Sequence, residues 1–393
     1  MNSTDDELAI AWKAWGEGDL ELAVRVARDA TPGDERTHVL MLAAYVKGDY
    51  ARALERYEGI GAGYERLAEL DDVVVEAHLH LGDRTDALAF ARQRGLARAK
   101  YLAMRTQPMQ VALDGGAVIA FADAPIVDYI PGFAGSVNGH AVTAHVDTGG
   151  TFLHMNPAKA ERFGIQLVEG PEGKHGAKTV PTLLGIAETF QLGPVLLKHV
   201  PVIGMPSLQG PEDFVVFGTN VLECFLVTLD YPNRRLLLSP REDADARSAH
   251  LAQLPEPREE MEFLLWSDHY MIARGGMGES DGLNFFMDSG LVSLHPQPDG
   301  SVRQAALIVA RKDLTRWGSA YSETGQDGVV ELRDAIRLGG LAQRGHLILV
   351  RERGIVSDMG GIRIDGLLSH AFVKEYAWTM DFDARRYLFH AVR

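Results

Sequence analysis

One short pattern occurs twice and constrains everything downstream of it. Asp147-Thr148-Gly149 follows the apolar Val146, and Asp288-Ser289-Gly290 follows Phe286-Met287, at an offset of 141 residues. Two further matches keep the same order. Phe190-Gln191-Leu192-Gly193 recurs as Ile336-Arg337-Leu338-Gly339 at an offset of 146, and Val216-Phe217-Gly218 recurs as Leu367-Leu368-Ser369 at 151. Beyond these, Thr228-Leu229-Asp230-Tyr231 and Arg234-Arg235-Leu236 return as Thr379-Met380-Asp381-Phe382 and Arg385-Arg386-Tyr387, again at 151. Matches in one order, with offsets that grow through small insertions, imply a single structural unit used twice.

From about Ala122 the chain consists of short β-branched runs punctuated by Gly, Pro and Asn, the texture of a sheet-rich region. Val137-Asn138-Gly139-His140 places Asn-Gly between two strand-like runs, which predicts a tight hairpin. Its second strand, Ala141 to Val146, delivers Asp147 at its end. In each copy the apolar residues anchor a strand in the core while the carboxylate emerges. Gly149 and Gly290 remove side chains that would block access to the acids and permit backbone angles closed to other residues. The hydroxyls of Thr148 and Ser289 are placed to hydrogen-bond across to the opposite loop. Two carboxylates sharing one site cannot both ionise cheaply, so one keeps its proton while the other is charged, giving an acid and a base.

On these motifs, residues from about 122 to 393 resemble the retropepsin and pepsin group of aspartic peptidases, in the bacterial form that carries two retropepsin-like halves on one chain. The resemblance implies a two-lobed β-barrel module with pseudo-twofold symmetry, a first lobe at 122–245 and a second at 246–393. It implies Asp147 and Asp288 as the catalytic pair, Thr148, Gly149, Ser289 and Gly290 as their supports, and Phe217-Gly218 and Leu368-Ser369 as strands threaded beside the catalytic loops. There are departures. Gly150 and Leu291 stand where the family usually has Ser, Thr or Ala, and Ser369 replaces a glycine and is expected to crowd its loop. The stretch Gly173 to Thr189, which should form the flap, has His175, Lys178 and Thr179 but no tyrosine; Trp317 and Tyr321 are the candidate covers in the second half.

His154 and His295 each lie seven residues after an aspartate and are expected to support loops or line the cleft with Gly150 and Leu291. With the aspartates they also form a conceivable two-His, two-carboxylate metal set, but the loop-supporting reading is preferred, and no metal or cofactor is expected. Asp230 and Asp381 read as turn formers. Gly275-Gly276-Met277-Gly278 lacks the lysine and hydroxyl residue of a phosphate loop and falls where the hairpin before Asp288 should lie.

The first hundred residues are different in kind. Gly18-Asp19, Gly48-Asp49 and Gly82-Asp83 each separate two apolar-periodic stretches, with Gly placed to end one helix and Asp to cap the next. This predicts helical hairpins over 1–105, joined to the β module by a linker at 106–121, and the pattern resembles tetratricopeptide repeats. Such a stack either recruits a protein partner or packs against the catalytic module.

With 54 acidic against 39 basic residues and a formal charge of −15, nucleic acid is not an expected partner. The acidic N-terminus and the lack of any run of 18 apolar residues predict a cytoplasmic protein without a membrane partner. Cys224 is the single cysteine, so no intramolecular disulfide can form. The leading expectation is an aspartic-type hydrolase acting on a peptide in the cleft between lobes. The alternatives are a tailoring enzyme that uses the pair for dehydration, cyclisation or isomerisation of a small molecule, and an inactive binding or scaffold protein.

Overall fold

The computed structural model describes residues 3–175, 178–352 and 358–391, with the side chains of 3–5, 174, 175 and 178 outside the description. An N-terminal helical region precedes a mostly-β module.

The helices are α1 (Ser3–Gly16), α2 (Leu20–Asp29), α3 (Asp34–Val46), α4 (Tyr50–Glu58), α5 (Asp71–His80), α6 (Arg84–Gln93) and α7 (Ala99–Met104). They form hairpins for the reason legible in the sequence. Gly18, Gly48 and Gly82 take φ of 71°, 82° and 78°, reversing the chain where a Cβ would be strained. Asp19 then accepts from Leu22 N–H and Asp49 from Arg52 N–H, capping α2 and α4; Asp83 makes no such side-chain bond.

In the first half of the β module, strand order runs Gln110–Ala112, Val195–Gly204, Leu153–Met155, Phe214–Gly218, His140–Asp147, Gly132–Val137, Lys178–Leu192, Val168–His175. The strand ending in Asp147 lies parallel to Phe214–Gly218, with Asp147 opposite Gly218. In the second half the strand Ser280–Asp288 lies parallel to Gly366–Ser369, with Asp288 opposite Ser369. The Phe190 and Ile336 motifs also take matching places, since Gly135 pairs with Leu192 and Gly275 with Leu338.

One sheet joins the halves, in the order Pro257–Trp266, Arg386–Ala391, Tyr376–Asp381, Phe225–Asp230, Arg235–Pro240, Ala117–Ala120. At its centre Thr228 pairs with Thr379, and their hydroxyls meet at 2.6 Å with no exposure to solvent. The sharp turns beside this pairing follow Asp230 and Asp381, which accept from the N–H groups of Asn233 and Ala384 respectively, as their turn-forming reading requires.

Two boundaries differ from the sequence expectation. The stretch 106–121 is not simply a linker: Gln110–Ala112 and Ala117–Ala120 extend the first-half sheet and the joining sheet, because Arg235–Pro240 would otherwise present an unpaired edge. The division at 245/246 falls inside the helix Ala244–Leu251, which belongs with the first half through His250, buried between Thr228 Oγ1 at 2.7 Å and Ser239 Oγ at 3.0 Å. The chain crosses to the second half just before Pro257.

The helical region is not a separate body. Its core residues Trp15, Val39, Leu42 and Val46 belong to one apolar cluster with Ile272, Phe286, Ile308, Leu349, Ile362 and Leu367 of the second half. Polar contacts fix the orientation. Trp15 Nε1 donates to Gly360 O at 2.8 Å, Asn284 Nδ2 to Glu17 O at 3.1 Å, and Arg385 hydrogen-bonds the buried Tyr50 hydroxyl. The glycine turns themselves sit in this seam: a Cβ on Gly18 would stand 2.4 Å from Asn284 Oδ1. From the far end of the stack, Arg105, just beyond α7, lies 4.8 Å over the ring of Phe152 in the first Asp loop.

Because this cluster is continuous, Trp15→Ala is expected to lower the stability of the whole chain by about 3–5 kcal/mol. Urea unfolding followed by far-UV and near-UV signals should give one displaced transition; a helical region that melts first while the β module keeps its midpoint would contradict a shared core.

Candidate active site

Asp147 and Asp288 come together. Each ends a buried strand, and each is followed by a loop whose hydroxyl residue is buried, Thr148 at 0% and Ser289 at 1% exposure. These two residues exchange hydrogen bonds: Thr148 N–H donates to Ser289 Oγ at 2.9 Å, and Ser289 N–H to Thr148 Oγ1 at 2.9 Å. Each hydroxyl also donates to the backbone across the seam, Thr148 Oγ1 to Met287 O at 2.8 Å and Ser289 Oγ to Val146 O at 3.3 Å. Four buried bonds thus lock one loop to the other, where any unpaired member would carry a desolvation cost.

The lock sets the two carboxyls against each other, close enough that each affects the other's protonation. Both residues keep an outer edge open to solvent, yet the carboxyl groups themselves are desolvated. Burial raises the pKa of Asp147, opposed by N–H groups of Gly149 and Gly290 and by the charge of His269. Burial raises Asp288 well above the usual carboxylate range, and the neighbouring Asp147 charge raises it further. Both carboxyls thus hold their protons more tightly than a free aspartate, each under the influence of the other.

Glycine is required at two positions by close approach. A Cβ on Gly149 would lie 2.6 Å from Asp288 Cγ, and one on Gly290 only 2.2 Å from Asp147 Cγ. The backbone amides pass directly beneath the opposite carboxyl, and Gly149 N–H also donates to Asp147 Oδ1 at 2.8 Å.

The remaining expected residues divide. Gly150 lies beside the pair, where an added Cβ would be 3.5 Å from both Asp147 Oδ2 and His154 Nε2. His154 supports the loop: its Nε2 accepts from Thr151 N–H at 3.2 Å and meets Thr151 Oγ1 at 3.0 Å. Leu291 packs its side chain toward the cluster shared with the helices, and its carbonyl accepts from Gln304 Nε2 at 2.8 Å. His295 is not the counterpart of His154. The strand Leu153–Met155 pairs with Phe214–Gly218, Leu153 opposite Phe217; in the second half that slot is filled by Leu307–Ala310, Leu307 opposite Leu368. The register makes Ile308 the match for His154. His295 lies instead on an inserted hairpin, Leu294–Pro296 with Val302–Gln304, bonded to Ser293 Oγ at 2.9 Å and Gln326 Oε1 at 3.2 Å. Equal spacing from the aspartates misled because the insertion begins right after the loop.

The same insertion explains Ser369. A Cβ on Gly218 would come within 1.7 Å of Thr151 O, so the first half needs glycine. In the second half the loop leaves by another route, and Ser369 is accommodated, donating from Oγ to Ala305 O at 2.7 Å and capping Ala371 N–H at 3.2 Å. It does not crowd the loop. Trp317 is a core residue at 3% exposure, not a cover, and Tyr321 packs partly buried against the same core. The Gly173–Thr189 stretch does lie in a hairpin, Val168–His175 with Lys178–Leu192; the side chains of His175 and Lys178 fall outside the described residues.

Three residues escaped the sequence reading. Thr219 Oγ1 donates to Thr148 O at 3.0 Å, and His370, at the same place in the second half, faces the Ser289 carbonyl. Burial pushes the His370 imidazole down to about 4, so it is neutral there. Both directly follow the Gly218 and Ser369 positions, so extending the repeat by one residue would have found them. His269 gave no such signal.

Comparison with known proteins agrees with this geometry over part of the chain. Residues 133–221 match the aspartyl protease family model, so this stretch is an aspartic-peptidase-like domain. A solved structure, a retropepsin-like aspartic protease from Rickettsia conorii, is similar at 18% identity over 34% of this chain and 93% of its own, with a TM-score of 0.24. No curated protein matches. Among the described residues, no helix is long and apolar enough to cross a membrane.

Two outcomes follow. Both carboxyls hold their protons more tightly in the folded than in the unfolded chain, so stability contributed by this pair is present below the unfolded carboxylate pKa of about 3.9 and is lost as pH rises through the elevated folded values. Asp288→Asn is therefore expected to raise the urea midpoint at neutral pH and to give no gain below about pH 3.9; an equal gain at both would refute the linkage. Thr148→Val, which strips partners from Ser289 N–H and Met287 O, should cost about 1–3 kcal/mol by the same measurement.

Proposed function

We propose that this chain is an aspartic-type hydrolase that cleaves a peptide in a cleft between two lobes related by an approximate twofold, with Asp147 as base and Asp288 as acid. The observation that carries this reading is the pair of desolvated carboxyls, each set against the glycine of the opposite loop, on two matched loops that bond to each other. The charged Asp147 takes a proton from water, whose oxygen attacks the scissile carbonyl carbon, while Asp288 gives its proton to the carbonyl oxygen. Asp147 then passes the proton it took from water to the amide nitrogen and the charged Asp288 takes one from a diol hydroxyl, so that the C–N bond breaks and a carboxylic acid and an amine are released. The pair returns to one shared proton, and no covalent link to the enzyme forms.

Two features support a peptide as substrate. Val292, in the loop after Asp288, and Leu294 and Val302, on the inserted hairpin that follows it, stand exposed, and we assign them apolar contact with side chains flanking a scissile bond. The hairpin Val168–His175 with Lys178–Leu192 fits the role of a flap over the first lobe. We read the helical hairpins as tetratricopeptide-like in pattern, serving first as a wall of the second lobe.

A broad peptide library assayed from acidic to neutral pH tests the reading. Cleavage is expected within a bell-shaped range, rising as Asp147 loses its proton and falling as Asp288 does; since both are raised, the bell lies above the ordinary carboxylate range. Asp147→Asn and Asp288→Asn should each reduce the rate at least about 100-fold. Absence of cleavage by a folded chain whose carboxyls still share a proton would sink peptide hydrolysis and leave the acid–base pair for a different reaction.

A further inference from the structure

The turn Ser267-Asp268-His269 joins the strands Pro257–Trp266 and Tyr270–Met277. Register puts it beside the catalytic loops. Ile272 pairs with Phe286, so the start of this strand comes level with Asp288, two residues beyond Phe286 on the antiparallel neighbour. The turn is tied to the other loop as well. Asn220 Nδ2 donates to Asp268 O at 3.1 Å, and Asn220 lies two residues beyond Gly218, the partner of Asp147 in the sheet.

Within the turn, His269 Nδ1 and Asp268 Oδ1 are 2.6 Å apart, and the imidazole packs on the Tyr270 ring with centroids at 3.8 Å. An imidazole with one nitrogen committed to a carboxylate has its orientation fixed and its second nitrogen free to face elsewhere. Burial opposes ionisation of Asp268, but the hydrogen bond and charge of His269, with Arg98 and His80 behind it, hold that carboxyl below its usual range. Glu76 and the Tyr101 hydroxyl face the same group from the helices. The charge of His269 reaches Asp147 and favours its ionised form.

The helical region clamps this turn from outside. Tyr45 OH donates to Ser267 O at 3.1 Å, and His80 Nε2 lies 3.2 Å from the same oxygen. Tyr45 also meets the Trp266 ring edge-on at 5.6 Å. Ser267 needs such restraint, since its φ of 56° is in the left-handed region that a serine seldom occupies. His80 is held in turn by Glu223, 3.4 Å away on the first half.

We propose that Asp268 and His269 are a positioning pair for the catalytic aspartates: His269, oriented by Asp268 on a turn that Tyr45 and His80 clamp at Ser267 and Asn220 ties to the first loop, favours the ionised form of Asp147. The helical region is then part of the catalytic apparatus. This rests on the acid–base pair of the preceding section, but not on what the substrate is.

The test needs no substrate. The full chain, labelled with carboxyl-13C aspartate, is titrated by NMR, and the two resonances are assigned by their loss in D147N and D288N. Wild type should show two well-separated steps belonging to the pair. His269→Gln should move the first step, deprotonation to the charged state of Asp147, to higher pH, because a cation that favoured that charge is gone. Tyr45→Phe, which loosens the clamp and leaves the imidazole in place, should move it the same way by less, and serves as the test if His269→Gln does not fold. Where peptide cleavage is measurable, the acidic limb of its pH profile should follow. An unmoved first step in a folded variant overturns the positioning role while leaving the catalytic pair intact. Two independent, ordinary carboxyl titrations in wild type overturn both.

Discussion

Two carboxyl groups withdrawn from water and set in hydrogen-bonding contact oppose each other unless something outside them holds the geometry. Here that restraint is the exchange of four buried hydrogen bonds between Thr148 and Ser289 and the strands behind them. Each loop satisfies donors and acceptors of the other, so neither can relax without leaving a buried polar group unpaired. Both carboxyls are then held withdrawn from water, and both are raised above the usual carboxylate range. The glycines beneath them, the parallel strands that thread behind each loop, and Thr219 and His370 at the strand ends all serve this one juxtaposition.

A lock made by two halves requires that the halves be held at a fixed angle, and the joining sheet does this through the pairing of Thr228 with Thr379. The helical region adds restraint on one side only. It buries its apolar face on the outer surface of the second half and closes around the turn that carries Asp268 and His269. The two raised carboxyls thus lie in unequal surroundings: loops of matched design, and a helical layer on one side only.

Much of this was legible before any coordinates. The two Asp motifs, their supporting hydroxyls and glycines, the Gly-Asp turns of the helical hairpins and the turn-forming Asp230 and Asp381 are local patterns with local causes. The errors have a shared origin as well. Spacing alone pairs His295 with His154 because the inserted hairpin, Leu294–Pro296 with Val302–Gln304, is invisible as such in sequence, and the glycine-to-serine exchange at Ser369 predicts a crowding that the rerouted loop removes. The short strands Gln110–Ala112 and Ala117–Ala120 were read as linker because strand pairing at an edge depends on a partner far along the chain.

The sequence by itself determined that a helical region precedes a β-rich one and that Asp147 and Asp288 each follow a strand-like apolar run in a repeated motif, because these follow from periodicity, turn chemistry and repetition along the chain. Only the tertiary structure decided which residues surround the acids. Tyr45 reaches the turn before His269 from a helix more than two hundred residues earlier, and burial with the charge of its neighbour raises Asp288 well above the usual carboxylate range. Desolvation and charge act through space, and no spacing along the chain encodes the distance between groups that only packing brings together.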